Sequence, residues 1–124
     1  MIVSFLLVYW YLRLGCTVLI RYKIVVQYDG SKFLGWQIQK EGRTIQGVLE
    51  DNFKKISNLK DHVKVYGAGR TDTGVHAWAQ VAHVDLKTKL NEKDIQNALN
   101  ANLPLDCRII NIEKIEKDFH ARYD

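Results

Sequence analysis

The chain has 124 residues, enough for one compact domain and too few for two separate hydrophobic cores. Lys and Arg number 18 against 14 Asp and Glu, a mild excess that permits a polyanionic partner without naming one, since a solvated mixed-charge surface gives the same balance. The two cysteines, Cys16 and Cys107, lie too far apart for a disulfide framework or a zinc spacing, which fits a reducing, cytoplasmic location.

Residues 1–20 (MIVSFLLVYWYLRLGCTVLI) are almost wholly apolar, yet they carry no basic n-region and no small-residue cleavage site, so they make a poor signal peptide. As a membrane span the stretch is only just long enough, and Arg13 inside it would cost roughly 2.5–3.5 kcal/mol on insertion. An anchor is therefore the least favoured reading. A buried extension and a start codon placed too far upstream are the others, and the folded domain is expected from residue 21.

From Tyr22 to Tyr28 the sequence YKIVVQY alternates, putting Ile24, Val26 and Tyr28 on one face of a half-buried strand that Asp29-Gly30 ends. Ile45, Val48, Leu49, Phe53 and Ile56 then fall on one helical stripe, with Thr44 as the N-cap. A second strand is expected from Val63 to about Ala68 and a third from about Ala77 to Leu86, with Trp78 in the core. Asn91 caps a second helix whose Ile95, Ala98, Leu99 and Leu103 share a face, Pro104 marks its end, and a last strand runs from Cys107 to about Ile115. Strand, helix, strand, strand, helix, strand is the ferredoxin-like α+β arrangement: a four-stranded, mainly antiparallel sheet with both helices on one face and the other face free.

Between the second and third strands lies Gly67-Ala-Gly-Arg-Thr-Asp-Thr-Gly74. Glycines let a backbone approach a ligand, and a strand connection can hold a charged side chain while exposing it. Arg70, two residues before Asp72, is expected to set a cation near that carboxylate and keep it ionised, and such an anion can act as a nucleophile. Asp-Thr-Gly is equally an ordinary turn, with Asp accepting from the backbone and Gly supplying positive φ, and local chemistry does not choose between the two. Gly67-x-Gly69 lacks the third glycine of a dinucleotide fingerprint, and His76, His83 and Asp85 lack a fourth ligand, so neither a nucleotide cofactor nor a metal is expected.

The nonamer GRTDTGVHA resembles the signature of the TruA-type tRNA pseudouridine synthases. Other landmarks of that family follow in order: YKIVVQYDGSKFLGWQIQ resembles its first strand and loop, RTIQGVLE the start of its first helix, and NALNANLPLDCRI and FHARYD later motifs. The similarity runs from Arg21 to Asp124, and residues 1–20 have no counterpart. It implies a cofactor-free isomerisation in which a uracil in the anticodon stem-loop of tRNA is cut from its ribose, turned and rejoined through carbon. Asp72 takes the place of the catalytic nucleophile, by attack on base or on sugar, and Arg70 that of the residue positioning Asp72 and substrate. Trp36, Gln37, Gln39, Thr71, His76 and Arg122 are the further RNA-contact candidates, with Thr71 and His76 shaping the loop and Trp36 equally suited to anchoring its own loop on the core.

The same resemblance implies a family chain about twice as long, working as a homodimer whose two halves form a cleft. This chain then supplies the N-terminal wall, without the tyrosine that stacks on the target uracil, and little activity is expected of it alone. A membrane partner is not expected. Two other functions fit parts of the sequence. One is a non-catalytic RNA-binding module of the same strand order, although AWAQVAHV lacks the RNP1 pattern. The other is an aspartic protease using Asp72-Thr73-Gly74, which predicts an almost all-β chain instead of two amphipathic helices.

Overall fold

Strand β1 (Ile20–Tyr28) alternates strictly, with Tyr22, Ile24, Val26 and Tyr28 buried and the residues between them half-exposed. In the computed structural model, which describes residues 18–57 and 62–124, this strand is central. Most of the 20-residue apolar leader lies outside the described residues, but Ile20 already belongs to the sheet. Helix α1 (Ile45–Ile56) starts where Thr44 Oγ1 accepts the Gly47 N–H at 3.2 Å, and it buries Ile45, Leu49 and Phe53. Strand β2 (Val65–Gly67), strand β3 (Ala77–Leu86), helix α2 (Glu92–Asn102) and strand β4 (Cys107–Ile115) follow. Asn91 caps α2 by accepting the Asp94 N–H at 2.8 Å.

The sheet order is β2-β3-β1-β4 with every pairing antiparallel, the ferredoxin-like arrangement read from the sequence. Ile24, Val26, Ala82, Val84 and Ile109 meet Leu49, Phe53, Ile95 and Leu99 of the helices in one core. The other face carries Arg21, Lys23, His83 and Asp85, which the register sets side by side on β1 and β3. Among the described residues no helix is long and apolar enough to cross a membrane.

Two expectations need correction. Trp78 is 82% exposed and not in the core, because β2 pairs only with Val84, His83 and Ala82 and leaves the first residues of β3 beyond the covered part of the sheet. Strand β2 is shorter than Val63–Ala68: Val63 is buried without joining the ladder, and the Ala68 N–H reaches Val81 O at 2.8 Å beyond its end. Periodicity also did not reveal Glu50, which is 2% exposed on α1. Its carboxylate accepts the Val65 N–H at 2.9 Å and so ties the helix to β2. A buried carboxylate is tolerable there because it meets donors on several sides, the Gln46 amide and the His62 ring among them.

Candidate functional site

Residues 68–76 connect β2 to β3 and are laced to the loop that follows β1. Thr71 is the innermost point. Its hydroxyl lies 2.8 Å from the hydroxyl of buried Tyr28, and its carbonyl accepts the Trp36 N–H at 3.0 Å. Burial raises the Tyr28 pKa, and the Thr71 contact opposes that only in part, so the phenol stays protonated and can share the hydrogen bond. Gly74, at φ 80, sends its N–H to Phe33 O at 3.3 Å, and the Gly30 N–H donates to His76 Nδ1 at 2.8 Å. That bond leaves Nδ1 as an acceptor, so the Asp29 carboxylate 3.1 Å away is a neighbour and not its hydrogen-bond partner. Asp29 is instead held below the usual carboxylate range by the hydroxyl and backbone N–H of Ser31.

Gly35 makes the close approach between the two loops feasible. Its φ is 88, and a Cβ there would lie 2.5 Å from the Thr71 carbonyl oxygen. Gly35→Ala is expected to cost on the order of 2 kcal/mol and to lift the 70–72 segment off its seat. Urea unfolding and the chemical shift of the Thr71 amide would register this, and unchanged values of both would dismiss the packing argument.

Thr71 is held inward while its two neighbours face outward. Arg70 and Asp72 are both exposed, and among the described residues neither side chain has a hydrogen-bond or ion-pair partner. The expected Arg70–Asp72 pairing is therefore absent: the two side chains flank Thr71 without meeting. The turn is present in part: the Asp72 carbonyl accepts the Val75 N–H at 3.2 Å and Gly74 supplies the positive φ, but among the described residues the Asp72 carboxylate accepts no backbone N–H.

Beside the loop lies a groove of about 620 Å³ whose lining includes Arg70, Lys64 and Arg122 as cations and Tyr66, His120 and Tyr123 as ring faces. Its outer wall is the C-terminal segment 119–124, which folds back over the open face of the sheet. Arg21 donates to Phe119 O at 2.6 Å while gripping Asp85 through two further bonds of 2.8 and 3.0 Å. Cations beside aromatic rings suit an RNA strand, since phosphates meet the guanidinium and ammonium groups and bases meet the ring faces.

Of the residues singled out in the sequence, Arg70, Gln37 and Arg122 reach this groove. Trp36 lines it too but is only 3% exposed, its indole packed on Gly67 and 6.3 Å from the Tyr28 ring, so it chiefly anchors the loop. Gln39 is exposed and folds onto Leu34 O at 2.8 Å. His76 belongs to a different hollow with Trp78, and Thr71 faces the core. His76, His83 and Asp85 do not converge: His76 holds Gly30, His83 is buried under the terminal segment, and Asp85 is taken by Arg21.

Sequence reasoning missed Lys64, Tyr66, His120 and Tyr123. The alternation Lys64-Val65-Tyr66 around a buried valine was the available signal for the first two.

A family model described as tRNA pseudouridine synthase matches residues 24–124. Among curated relatives, tRNA pseudouridine synthase A of Ehrlichia ruminantium (strain Gardel) is 50% identical over 105 residues, covering 83% of this chain and 42% of the relative. The enzyme of the same name from Rhodopseudomonas palustris (strain BisA53) is 48% identical over 104 residues, with 83% and 42% covered. That of Ligilactobacillus salivarius (strain UCC118) is 44% identical over 103 residues, with 83% and 40% covered. The chain thus spans about two fifths of the length of these relatives. A match over nearly all the described domain, at this level of identity, means that the chain belongs to the tRNA pseudouridine synthase family.

Proposed function

We propose that this chain forms the aspartate-bearing wall of an enzyme that isomerises uridine to pseudouridine in the anticodon arm of tRNA, with Asp72 as the nucleophile. The observation that carries the reading is an exposed carboxylate with no partner among the described residues, presented by a loop whose neighbouring residue Thr71 is pinned at both its hydroxyl and its carbonyl. A nucleophile needs an accessible carboxylate on a fixed backbone, and this arrangement supports the reading. Arg70 stands on the other side of Thr71, at the groove, where its fork can pair with a phosphate or fill the space left by an extruded uridine. Asp72 bonds transiently to the base or the sugar; the bond from ribose to uracil nitrogen breaks, a bond from ribose to uracil carbon forms in its place, that carbon loses a proton, the nitrogen gains one and the carboxylate is regenerated, so the isomerisation calls for no cofactor. The protein works in the cytoplasm, as a homodimer of longer chains, with tRNA as its partner.

The test joins residues 21–124 to the remaining portion of the Ligilactobacillus salivarius relative and follows pseudouridine formation in tRNA transcripts. Conversion confined to the anticodon arm is expected. Arg70→Ala should weaken tRNA binding about tenfold and reduce its salt dependence by about one phosphate contact. A folded chimera that binds tRNA and converts nothing would refute the enzymatic reading and leave an RNA-binding module.

A further inference from the structure

The groove wall formed by residues 119–124 depends on a histidine that the proposed chemistry does not use. His83 projects from β3 onto the open face of the sheet, opposite Lys23 of β1 and Tyr66 of β2, and is 1% exposed. Its ring stacks on Tyr66, with centroids 4.8 Å apart, and meets His120 edge-on at 4.6 Å. Nδ1 accepts the Ala121 N–H at 3.1 Å. Further bonds run within the segment, among them Arg122 N–H to His120 Nδ1 at 3.1 Å and His120 N–H to the Asp124 carboxylate at 2.7 Å, and the Phe119 N–H reaches Glu116 O at 3.0 Å just before it. Among the described residues, the hydrogen bonds from this segment to the sheet are those made by Arg21 and His83.

Nδ1 can accept an N–H only while it carries no proton, so the ring must be neutral with its hydrogen on Nε2. A second proton would set donor against donor at Ala121. The charged and titratable groups around the ring are Arg21 and Lys23 on β1, Asp85 on β3, Lys64 and Tyr66 on β2, Glu113 on β4 beside Lys23, and Asp118, His120, Arg122, Tyr123 and Asp124 on or next to the segment. Burial keeps the imidazole neutral, Arg21 and His120 push in the same direction and Asp85 opposes them.

We propose that His83 is the positioning residue of the groove: by accepting the Ala121 N–H it holds the terminal segment so that His120, Arg122 and Tyr123 line one channel with Arg70. The tie itself stands on geometry alone, and its consequence for RNA rests on the function proposed above.

Two variants of the 124-residue chain separate these claims. His83→Phe keeps a ring against Tyr66 and His120 but removes the acceptor, whereas His83→Asn places a non-titrating carbonyl oxygen near the position of Nδ1. Hydrogen exchange of the Ala121 amide should be slow in the parent and the Asn variant. It should be about tenfold faster in the Phe variant, with the amides of β1 unchanged. Affinity for an anticodon stem-loop RNA should fall about tenfold in the Phe variant and stay within about threefold in the Asn variant. In the parent, protection at Ala121 should also fade as the pH is lowered toward about 4, and it should persist in the Asn variant. This arm decides the matter even if the Phe variant does not fold.

Unchanged Ala121 exchange in a folded Phe variant, or protection indifferent to pH in the parent, would overturn the tie. Faster exchange with unaltered RNA affinity would overturn the positioning role. If no protein, parent included, binds the RNA, the groove is not an RNA site in this chain and the positioning role is overturned, while the exchange data still judge the tie at His83 and the conversion assay of the joined protein still judges the proposed function.

Discussion

Replacing Asp72 by alanine in the joined full-length protein is expected to lower pseudouridine formation by a factor of about 1,000 or more while leaving the Kd for tRNA within about twofold. The split follows from the site's construction. The carboxylate makes no hydrogen bond or ion pair among the described residues, so its removal breaks nothing in the free protein. The loop keeps its shape through Thr71, Gly74 and His76, none of which is touched. Asp72→Asn sharpens the test, because it preserves shape and hydrogen-bonding capacity while removing the anion. Single-turnover conversion measured with enzyme in excess over tRNA isolates the chemical step from product release. Normal turnover in either variant would reject the assigned nucleophile, and a binding loss larger than tenfold would reassign Asp72 to holding the RNA.

The second large effect concerns stability. Burial pushes the His83 pKa down from 6.5 to about 4, so the folded chain resists a proton that the unfolded chain accepts. For a group depressed in this direction, the native state is undisturbed above pH 6.5. It loses stability as the pH falls from 6.5 toward 4, and this contribution levels off below that. The full displacement corresponds to about 3 kcal/mol, which for a domain of this size lowers Tm on the order of 10 °C. The window is distinct from that of Asp106, whose carboxylate is held low chiefly by its two 2.8 Å bonds from Arg43 and gives up its contribution only below its ordinary value of 3.8. Thermal unfolding followed from pH 7 to pH 4 should therefore show a steeper decline in the parent than in His83→Asn, which has nothing to titrate at that site. Parallel profiles would mean that the ring is protonated without cost and that its burial is not rigid.

How far the chain could be read in advance differs between scaffold and site. Ile24, Val26 and Tyr28 at alternate positions, and Ile45, Leu49 and Phe53 on one helical stripe, determined their elements locally, because the period of apolar residues must match the period of the backbone that buries them. The caps Thr44 and Asn91 were equally legible, since each acts within three residues of itself. Trp78 was misplaced for the complementary reason: alternation gives the face of a strand but not how far the next strand extends to cover it.

The GRTD segment was visible as a candidate, and its likeness to a family implied the proposed chemistry, but neither gave its geometry. That Arg70 and Asp72 stand apart around an inward Thr71 depends on Tyr28, 43 residues earlier, and on the backbone at Gly35 and Trp36.

The sequence by itself determined the order and faces of the strands and helices, the family, and the segment that carries the proposed nucleophile. Only the tertiary structure decided that Lys64, Tyr66, His120 and Tyr123 share a groove with Arg70, and that a buried neutral His83 fastens its wall. Local periodicity is set by neighbours a few residues apart, whereas the groove is made where β2, the loop before α1 and the end of the chain are brought together by burial of a common core.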